Sequence, residues 1–437
     1  METNEFRQTD TVFAPSTAIG GAIAVVRVSG PDTQAIAHAL LKRELVPRML
    51  THTPICENGI LLDEAMAVFF ARPNSYTGED MLELHCHGGM QTVRRISDAL
   101  LRLGARPAEG GEFTKRAFLN GKMDLIQAEA VMDVINAQAE ASLRSALFQL
   151  GGGISQDVCA IETHLMDARA SVEAMIDYPD EMEADVLSVL PNTLDDLLGK
   201  LDALIENGYH ARVLRDGLRV VILGRPNVGK SSLFNTLLGE SRAIVTDAAG
   251  TTRDVLDERI LLNGVGVRLM DTAGLRKAAD EAESIGIDRA RQAQRTADLT
   301  LVVLDGSESL TDEDAAILSE TEGRNRIVLS NKSDLGVCAA ADLAVSCKTG
   351  EGLAELKERI GSFANPSLAD TTYLTNIRHI RALERARDAL RQARFQAEPD
   401  CIATELREAA HQIGTITGSD VDEQLLDRIF ENFCVGK

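Results

Sequence analysis

The sequence predicts a multidomain protein that combines α+β and α/β folds, with an α/β domain inserted into an all-helical domain. Its 437 residues are enough for two to three domains. Residues 217–363 alternate strand-like and helical patterns, as a mostly parallel sheet requires. Residues 122–216 and 364–437 instead repeat apolar residues at helical spacing, so they are predicted to form one helical domain around the insertion.

The amino-terminal region, residues 1–121, is predicted to be a small α+β domain. The runs 22–28 (AIAVVRV) and 65–70 (AMAVFF) are typical of buried strands. Turn-forming residues follow each of them, at Ser29-Gly30-Pro31 and at Pro73-Asn74. Short helical patterns lie between these strand-like runs.

The helical domain is predicted from apolar residues recurring every three to four positions. Pro179 is expected to end one of these helices, and Gly151-Gly152-Gly153 is expected to interrupt the helical structure between two others. The predicted helical stretches cover residues 125–147, 158–178, 187–205, 377–396 and 402–416. In the α/β domain, strands are predicted at residues 219–223, 267–270, 300–304, 326–329 and 343–345.

Composition excludes several classes of protein. No apolar run approaches the roughly 18 residues that cross a membrane, and the first ten residues lack a signal region, so a cytoplasmic protein without membrane contact is expected. The net charge of −22 argues against non-specific coating of nucleic acid. The seven cysteines form no C-x-x-C pair, which favours reduced thiols. His85 and His87 around Cys86 suggest a metal only weakly; a strand before a Gly-Gly turn is the simpler interpretation.

A phosphate-binding loop is predicted at residues 224–231 (GRPNVGKS). The segment fits G-x-x-x-x-G-K-[ST], directly follows a predicted strand and precedes a helical pattern at 232–238. Its glycines let backbone N–H groups approach phosphate oxygens at a helix amino terminus. Lys230 is expected to reach the β- and γ-phosphates, and Ser231 to bind Mg²⁺.

Four further segments follow in the order of a Ras-like P-loop GTPase domain. Residues 250–254 (GTTRD) stand where a first switch loop belongs, and Thr252 offers a hydroxyl to Mg²⁺. Residues 271–274 (DTAG) place Asp271 near the metal and the Gly274 amide near the γ-phosphate. Asn331-Lys332-Ser333-Asp334 supplies a carboxylate, expected to be buried, that accepts from guanine N1 and its 2-amino group, which adenine lacks. Ser346-Cys347-Lys348 supplies backbone near the guanine oxygen.

These five elements predict an enzyme that binds and hydrolyses GTP with Mg²⁺. Ras-type proteins orient the attacking water with a glutamine after D-x-x-G, but Leu275 occupies that position here. Spacing alone leaves Arg253, Arg276, Asp280, Glu281 and Glu283 open as replacements. The predicted GTP-binding residues are Asn227, Val228, Gly229, Lys230, Ser231, Ser232, Thr246, Asp247, Ala248, Ala249, Gly250, Thr251, Thr252, Asp271, Thr272, Ala273, Gly274, Asn331, Lys332, Asp334, Ser346, Cys347 and Lys348.

Several segments together resemble the MnmE (TrmE) family of tRNA-uridine modification GTPases. They are residues 224–231, 243–256 (AIVTDAAGTTRDVL), 271–276 (DTAGLR), 27–30 (RVSG) and 433–437 (FCVGK). The resemblance spans all the predicted domains. It implies an amino-terminal domain that binds folate and forms a homodimer, an all-helical domain and an inserted GTPase domain.

The resemblance also implies a chemistry. Members of this family work with the flavoprotein MnmG, in a complex expected to be a heterotetramer. Together they add a carboxymethylaminomethyl or aminomethyl group to C5 of the wobble uridine, U34, of certain tRNAs. A tetrahydrofolate derivative, methylene- or formyl-tetrahydrofolate, supplies the one-carbon unit, and FAD belongs to the partner.

Site residues follow from the same resemblance. It assigns Arg27, Glu83, Lys122 and Lys437 to folate, and Asn227, Thr246, Ala248 and Thr251 to a K⁺ ion that assists hydrolysis. Glu283 would activate the water and Lys230 would act on the phosphates. Cys434 has two interpretations, a group in the modification chemistry or a small buried thiol.

Two other functions stay open. A ribosome-assembly or regulatory GTPase would share the five nucleotide loops and act as a nucleotide-gated binding module, but it would not bind folate. Alternatively, the amino-terminal region is a folate-dependent transferase that the GTPase regulates. In every case GTP hydrolysis is expected to drive a conformational change.

Overall fold

The computed structural model describes residues 10–137, 139–240, 257–262, 265–271, 297–363, 376–431 and 433–437. The chain divides into two compact units. Unit 1 contains the described residues up to Met132, with 150–162 and 411–437, and unit 2 contains 133–149 and the described part of 163–410. The division into four segments at 121, 216 and 363 stays a prediction.

Unit 1 contains a six-stranded sheet in the order β3-β4-β5-β2-β1-β6. Neighbouring strands run antiparallel except for the parallel pair β1 and β6. The two predicted strands are confirmed, and the second extends back to Ile60 because residues 60–64 pair with β3 in a hairpin. The strands are β1 Val12–Pro15, β2 Ile23–Ser29, β3 Thr51–Glu57, β4 Ile60–Phe70, β5 Met81–His87 and β6 Arg106–Pro107.

Two helices cover one face of this sheet, α1 (Thr33–Leu41) and α2 (Met90–Arg102). The core between them consists of alternate strand residues and the apolar stripe of each helix, as period-2 and period-3.6 patterns dictate. Its fully buried members include Val26, Val28, Leu82, Leu84, Leu40, Ile96 and Leu100.

A second cluster in unit 1 joins helices that are distant in sequence. Leu125 and Ala128 of α4 (Leu125–Asn136) pack with Phe430 and with Phe433 near the end of the chain. The rings of Phe430 and Phe433 lie 5.0 Å apart. The short helix α3 (Glu112–Leu119) precedes α4 and contributes Phe118 and Leu119 to the same cluster.

The remaining helices confirm the predicted helical structure, but several begin and end at residues other than those predicted. The apolar pattern over 125–147 is divided between α4 and α5, and Gly152, at φ 83°, separates α5 from α6 as predicted. Pro179 begins a helix of 38 residues that continues through Pro191, far longer than the predicted 187–205. The helices are α5 Glu140–Leu150, α6 Gly153–Asp177 and α7 Pro179–Asp216, followed after the α/β domain by α11 Ile377–Phe395, α12 Pro399–Thr417 and α13 Glu423–Phe430.

The α/β domain of unit 2 has six strands in the order β12-β11-β10-β7-β9-β8. All described pairs are parallel except β8 with β9, which confirms the predicted fold. The carboxyl ends of β7, β10 and β11 are neighbours, so the loops that follow them meet at one edge. The elements are β7 Leu218–Leu223, α8 Lys230–Glu240, β8 Asp257–Leu262, β9 Val265–Asp271, β10 Leu299–Asp305, α9 Asp312–Glu320, β11 Arg326–Asn331, β12 Leu343–Ala344 and α10 Leu353–Ser362.

None of the described helices has both the length and the apolar character needed to pass through a membrane.

Candidate functional site

The predicted phosphate loop lies between β7 and α8, and two of its glycines are required by close backbone approaches. Gly224 has φ 154°, and a Cβ there would lie 2.5 Å from the carbonyl oxygen of Val303. Gly229 has φ 98°, and a Cβ there would lie 2.1 Å from Nδ2 of Asn331. Any side chain at either position would force the loop away from its neighbours.

Lys230 begins α8 and points back over the loop. Its ammonium donates hydrogen bonds to the carbonyl oxygens of Gly224, at 2.7 Å, and Arg225, at 2.6 Å. Ser231 and Ser232 are exposed in the first turn of α8, and Asn227 is exposed in the loop at φ 66°. A helix amino terminus presents backbone N–H groups, and a lysine beside it adds positive charge, which together suit a phosphate.

Asn331 joins the phosphate loop to the loop at 346–348, which is predicted to lie near the guanine base. This buried residue ends β11 and donates from Nδ2 to the carbonyl oxygen of Val228 at 2.8 Å. Its Oδ1 accepts from the amide of Cys347 at 3.5 Å. The asparagine therefore holds the loop with Lys230 and the loop with Cys347 against each other.

Lys332 is held by Asp305, the last residue of β10. Its ammonium lies 2.6 Å from Oδ2 of Asp305. Burial opposes ionisation of Asp305, but hydrogen bonds from Lys332 and Ser307 outweigh it and lower the pKa of this carboxyl. The pair fixes the start of the segment that carries Asp334.

Asp334 accepts a hydrogen bond from the hydroxyl of Ser346 at 2.7 Å. Ser346 is buried, whereas Asp334 and Lys348 are exposed. The expected burial of Asp334 is wrong, because the residue lies on a surface loop, where Leu335 beside it is 68% exposed. Burial raises the pKa of the neighbouring Cys347 thiol, which excludes a thiolate role for it at neutral pH.

Of the remaining predicted nucleotide residues, all but Asp271 lie outside the described part of the chain. Asp271 ends β9, and its backbone stands opposite Ile222 of β7, two residues before the phosphate loop. The others are Thr246, Asp247, Ala248, Ala249, Gly250, Thr251, Thr252, Thr272, Ala273, Gly274 and Glu283, together with the open alternatives Arg253, Arg276, Asp280 and Glu281.

In unit 1, Arg27 and Glu83 stand opposite each other on β2 and β5. Oε1 of Glu83 accepts from Nε of Arg27 at 3.0 Å and from Nη2 at 2.8 Å. The guanidinium also lies 5.3 Å from the ring centre of Tyr76 and 5.5 Å from that of Phe113. Two aromatic rings and one carboxylate thus orient this arginine.

The segment 433–437 adds Lys437 to the same neighbourhood through its backbone. The amide of Phe113 donates to the carbonyl oxygen of Lys437 at 3.2 Å, and Val435 forms a bridge with Gly110. Gly436 has φ 93°, and a Cβ there would lie 2.3 Å from the carbonyl oxygen of Pro15. The terminal segment therefore packs closely along the edge of unit 1.

Cys434 is exposed, which contradicts its interpretation as a buried thiol. The cause is that the segment is held through backbone groups rather than through the Cys434 side chain. The amide of Gly111, for example, donates to the carbonyl oxygen of Cys434 at 3.3 Å.

Lys122 holds the segment that carries Tyr76. Its ammonium donates to the carbonyl oxygen of Pro73 at 2.9 Å, and its stem lies against the turn at Gly78. It does not contact Arg27 or Glu83 directly in any described hydrogen bond. Sequence reasoning missed Tyr76 and Phe113, because a ring over a guanidinium joins residues that no motif connects.

The segment His85-Cys86-His87 forms part of β5, as the simpler interpretation predicted. Burial raises the pKa of Cys86 to about 11. Nδ1 of His87 lies 2.8 Å from Asp63. Within the described ranges, no three His, Cys, Asp or Glu side chains are grouped to hold a metal.

The chain is similar to known proteins over its whole length. A family model for the "GTP-binding protein TrmE N-terminus" matches residues 11–122, and one for the "MnmE helical domain" matches residues 125–434. The "tRNA modification GTPase MnmE" of Natranaerobius thermophilus is 40% identical, covering 98% of this chain and 99% of the relative. The protein of the same name from Akkermansia muciniphila is 44% identical, with the same coverage.

Among solved structures, the G domain of the T. maritima FeoB iron transporter is 28% identical. The match covers 34% of this chain and 99% of that one, with a TM-score of 0.26. A score this low supports no conclusion.

Proposed function

Because the chain belongs to the MnmE (TrmE) family of tRNA modification GTPases, we propose that it modifies C5 of the wobble uridine, U34, of certain tRNAs. The group added is carboxymethylaminomethyl or aminomethyl. The chain is an enzyme that hydrolyses GTP. The observation that carries the proposal is the identity of 40% and 44% with these relatives over 98% of the chain.

For the GTPase reaction, we assign Lys230 to the β- and γ-phosphates, and Ser231 with Thr252 to Mg²⁺. Asp271 would face the metal, and Asp334 would select guanine. Asn227, Thr246, Ala248 and Thr251 would hold a K⁺ ion, which would supply positive charge beside the phosphates, and Glu283 would activate the water. The contacts of Asn331 support a single nucleotide site, since they join the phosphate loop to the Cys347 loop.

For the one-carbon unit, we assign methylene- or formyl-tetrahydrofolate to Arg27, Glu83, Lys122 and Lys437. The cationic residues suit the glutamyl tail, and the carboxylate suits the N–H groups of a pteridine. The arrangement of Arg27, Glu83 and the Lys437 backbone around Phe113 supports this assignment. Cys434, exposed on the segment beside it, is available for the modification chemistry.

The partners follow from the same family. We propose a homodimer through the amino-terminal domain, joined to an MnmG-type flavoprotein that supplies FAD, in a heterotetramer that binds tRNA. We propose that the tRNA modification takes place in the cytoplasm, a reducing compartment, since all seven cysteines are free thiols. GTP hydrolysis drives a conformational change rather than the carbon transfer itself.

The GTPase part is tested by measuring hydrolysis of GTP and ATP by the full chain in K⁺ and in Na⁺. GTP in K⁺ is expected to be the only fast combination. Equal rates in the two salts would remove the potassium site, and equal rates with the two nucleotides would remove the role of Asp334.

The tRNA part is tested by incubating the chain with an MnmG-type partner, tRNA, GTP and methylene-tetrahydrofolate carrying a labelled one-carbon unit. Mass spectrometry of the digested tRNA is expected to show the label at the wobble uridine. A chain that hydrolyses GTP but neither binds folate nor transfers the label would instead be a regulatory or ribosome-assembly GTPase.

A further inference from the structure

Three acidic residues between the end of β10 and the first turn of α9 form ion pairs with both halves of the nucleotide site, the phosphate loop at 224–231 and the guanine-selecting segment at 331–334. We call Asp305, Glu308 and Asp314 the acidic brace. Asp305 holds Lys332, at 2.6 Å, from the guanine-selecting segment. Nη2 of Arg225, in the phosphate loop, donates to Oε2 of Glu308 at 2.5 Å. Its Nε lies 3.2 Å from Oδ2 of Asp314 as an ion pair without hydrogen-bond geometry.

Asp314 is a rigid anchor for this contact. It is buried, and it caps its own helix: its Oδ2 accepts from the Thr311 amide at 3.1 Å and hydroxyl at 2.8 Å. Such a capping box holds the carboxylate in one orientation. A buried carboxylate is costly unless a cation lies beside it, and Arg225 supplies that cation. Asp314 therefore presents a fixed negative charge to Arg225 at 3.2 Å.

Arg225 is also coupled to the residue that reaches the phosphates. Its carbonyl oxygen accepts from the ammonium of Lys230 at 2.6 Å. On its amino-terminal side, Gly224 is so close to the Val303 backbone that a Cβ would not fit. The ion pairs with the brace and the hydrogen bond from Lys230 therefore act on the same residue of the phosphate loop.

From these contacts we infer that Arg225 is a positioning residue for GTP, which acts by fastening the phosphate loop to the acidic brace. It has no role on the reacting atoms. Because the brace also holds Lys332, the same three carboxylates set the spacing between the phosphate and guanine halves of the site. GTP, GDP and the transition state all use that spacing.

This role predicts a specific kinetic pattern. An interaction that serves ground state and transition state equally changes KM and leaves kcat alone. Loss of the Arg225 side chain should therefore weaken GDP and GTP by the same factor. The preference for guanine over adenine, which depends on Asp334, should be unchanged.

The test measures fluorescent-GDP binding and GTP hydrolysis with the full chain. Arg225→Ala is expected to weaken GDP about tenfold and to raise KM for GTP by the same factor, with kcat within about twofold. Arg225→Lys, which keeps the charge, should recover part of the affinity. Arg359→Gln is the matched control, because it removes an ion pair with Glu355, at 2.7 Å, on α10 of the same domain.

Glu308→Gln gives a second test that does not depend on folding, since Glu308 is 58% exposed. It should weaken GDP about two- to threefold, and the double variant with Arg225→Ala should be no weaker than Arg225→Ala alone. The inference is overturned if Arg225→Ala binds GDP as tightly as Arg359→Gln does. Equally, additive effects of Arg225→Ala and Glu308→Gln, or a fall in kcat with KM unchanged, would show that the brace does not act in this way.

Discussion

Single residues in the phosphate loop depend on backbone conformations that glycine adopts freely. Gly229 combines φ 98° with a neighbour, Nδ2 of Asn331, 2.1 Å from where a Cβ would stand. Gly229→Ala should therefore separate the loop from Asn331 and break the hydrogen bond to Val228. We expect GDP affinity to fall at least about tenfold, measured by titration with fluorescent GDP.

Gly239→Ala is the control for this substitution. Gly239 lies in the same helix that begins at Lys230, and among the described residues no atom outside the backbone of this helix stands within 4 Å of the position that its methyl group would take. Alanine favours helix over glycine, so this variant should be as stable as the parent or more stable by up to about 1 kcal/mol. If both variants bind GDP alike, the contact between Gly229 and Asn331 does not shape the site.

A buried ion network in unit 1 includes Glu112, the residue before Phe113, whose ring lies beside Arg27. Arg116 is almost fully buried and bonds to carboxylates of Asp10, Glu79 and Glu112. Glu112 also accepts from Arg106 at 2.6 Å. Burial opposes ionisation of Glu112, but these hydrogen bonds outweigh it, and the pKa of Glu112 lies below its ordinary value of 4.5.

The lowered pKa of Glu112 predicts how stability depends on pH. The folded state binds this proton less readily than the unfolded state, so the stabilisation is complete above pH 4.5 and is lost as pH falls through the lowered pKa. Glu112→Gln should lower the free energy of unfolding at pH 7 by about 1–3 kcal/mol. Urea unfolding should also show a smaller loss of stability between pH 5 and 3 than in the parent.

Glu140→Gln provides the comparison for that experiment. Glu140 is 88% exposed and pairs with Arg144 only at 3.4 Å, so its removal should change stability by less than about 0.5 kcal/mol at any pH. A parent and a Glu112→Gln protein with parallel pH profiles would mean that this carboxylate does not stabilise unit 1 through ionisation.

At the scale of elements, apolar patterns predicted the positions of many strands and helices, but they predicted the first and last residues of these elements less accurately. Five strands of the α/β domain were predicted to within two residues, because apolar and β-branched residues are concentrated in each of them. The sixth, β8, was not predicted, since three charged residues, at 257–259, begin it and its pairing with β9 is not visible in the sequence. The extension of β4 to Ile60 was missed, since Asp63 and Glu64 interrupt the apolar run and the pairing with β3 is not visible in the sequence. Pro191 likewise stands inside α7, where packing against α11 outweighs its low propensity.

The candidate sites likewise contain residues that the sequence predicted and residues that only the fold reveals. Motif residues such as Lys230 and Asn331 were predicted because phosphate and guanine require fixed residue types at fixed spacing. Phe113, Arg225 and Asp314 carry no such signal. Their contacts join residues tens of positions apart, and only the fold brings them together.

The terminal segment 433–437 gives a prediction at this scale. Its backbone accepts hydrogen bonds from the amides of Gly111 and Phe113, and the ring of Phe113 lies beside Arg27. Deletion of residues 434–437 should therefore weaken 5-formyl-tetrahydrofolate at least about tenfold more than Lys437→Ala, which keeps these bonds. Isothermal titration measures both, and GTP hydrolysis should stay within about twofold of the parent.

Val435→Ser is the control, because Val435 is 57% exposed and its backbone forms the bridge with Gly110. This variant should bind folate as the parent does. A deletion no more harmful than Lys437→Ala would show that the lysine charge, and not the docked backbone, matters for the ligand.

At the scale of the whole molecule, charge limits how the chain alone can bind tRNA. The net charge is −22. Helix α11 carries six arginines, but Arg387, Arg391 and Arg394 form ion pairs with Asp202 and Asp195 of α7. Much of its positive charge is thus neutralised within the protein and cannot displace counterions from phosphates.

Binding of tRNA to the chain alone should consequently depend weakly on salt. If it neutralises about three phosphates or fewer, a plot of log K against log salt concentration should have a slope no steeper than about −3. Filter binding of tRNA in KCl concentrations from about 50 to about 200 mM measures the slope. Adding an MnmG-type partner should steepen it, since the remaining phosphate contacts must then come from the partner. A slope near −6 for the chain alone would instead require an extended basic surface on this protein.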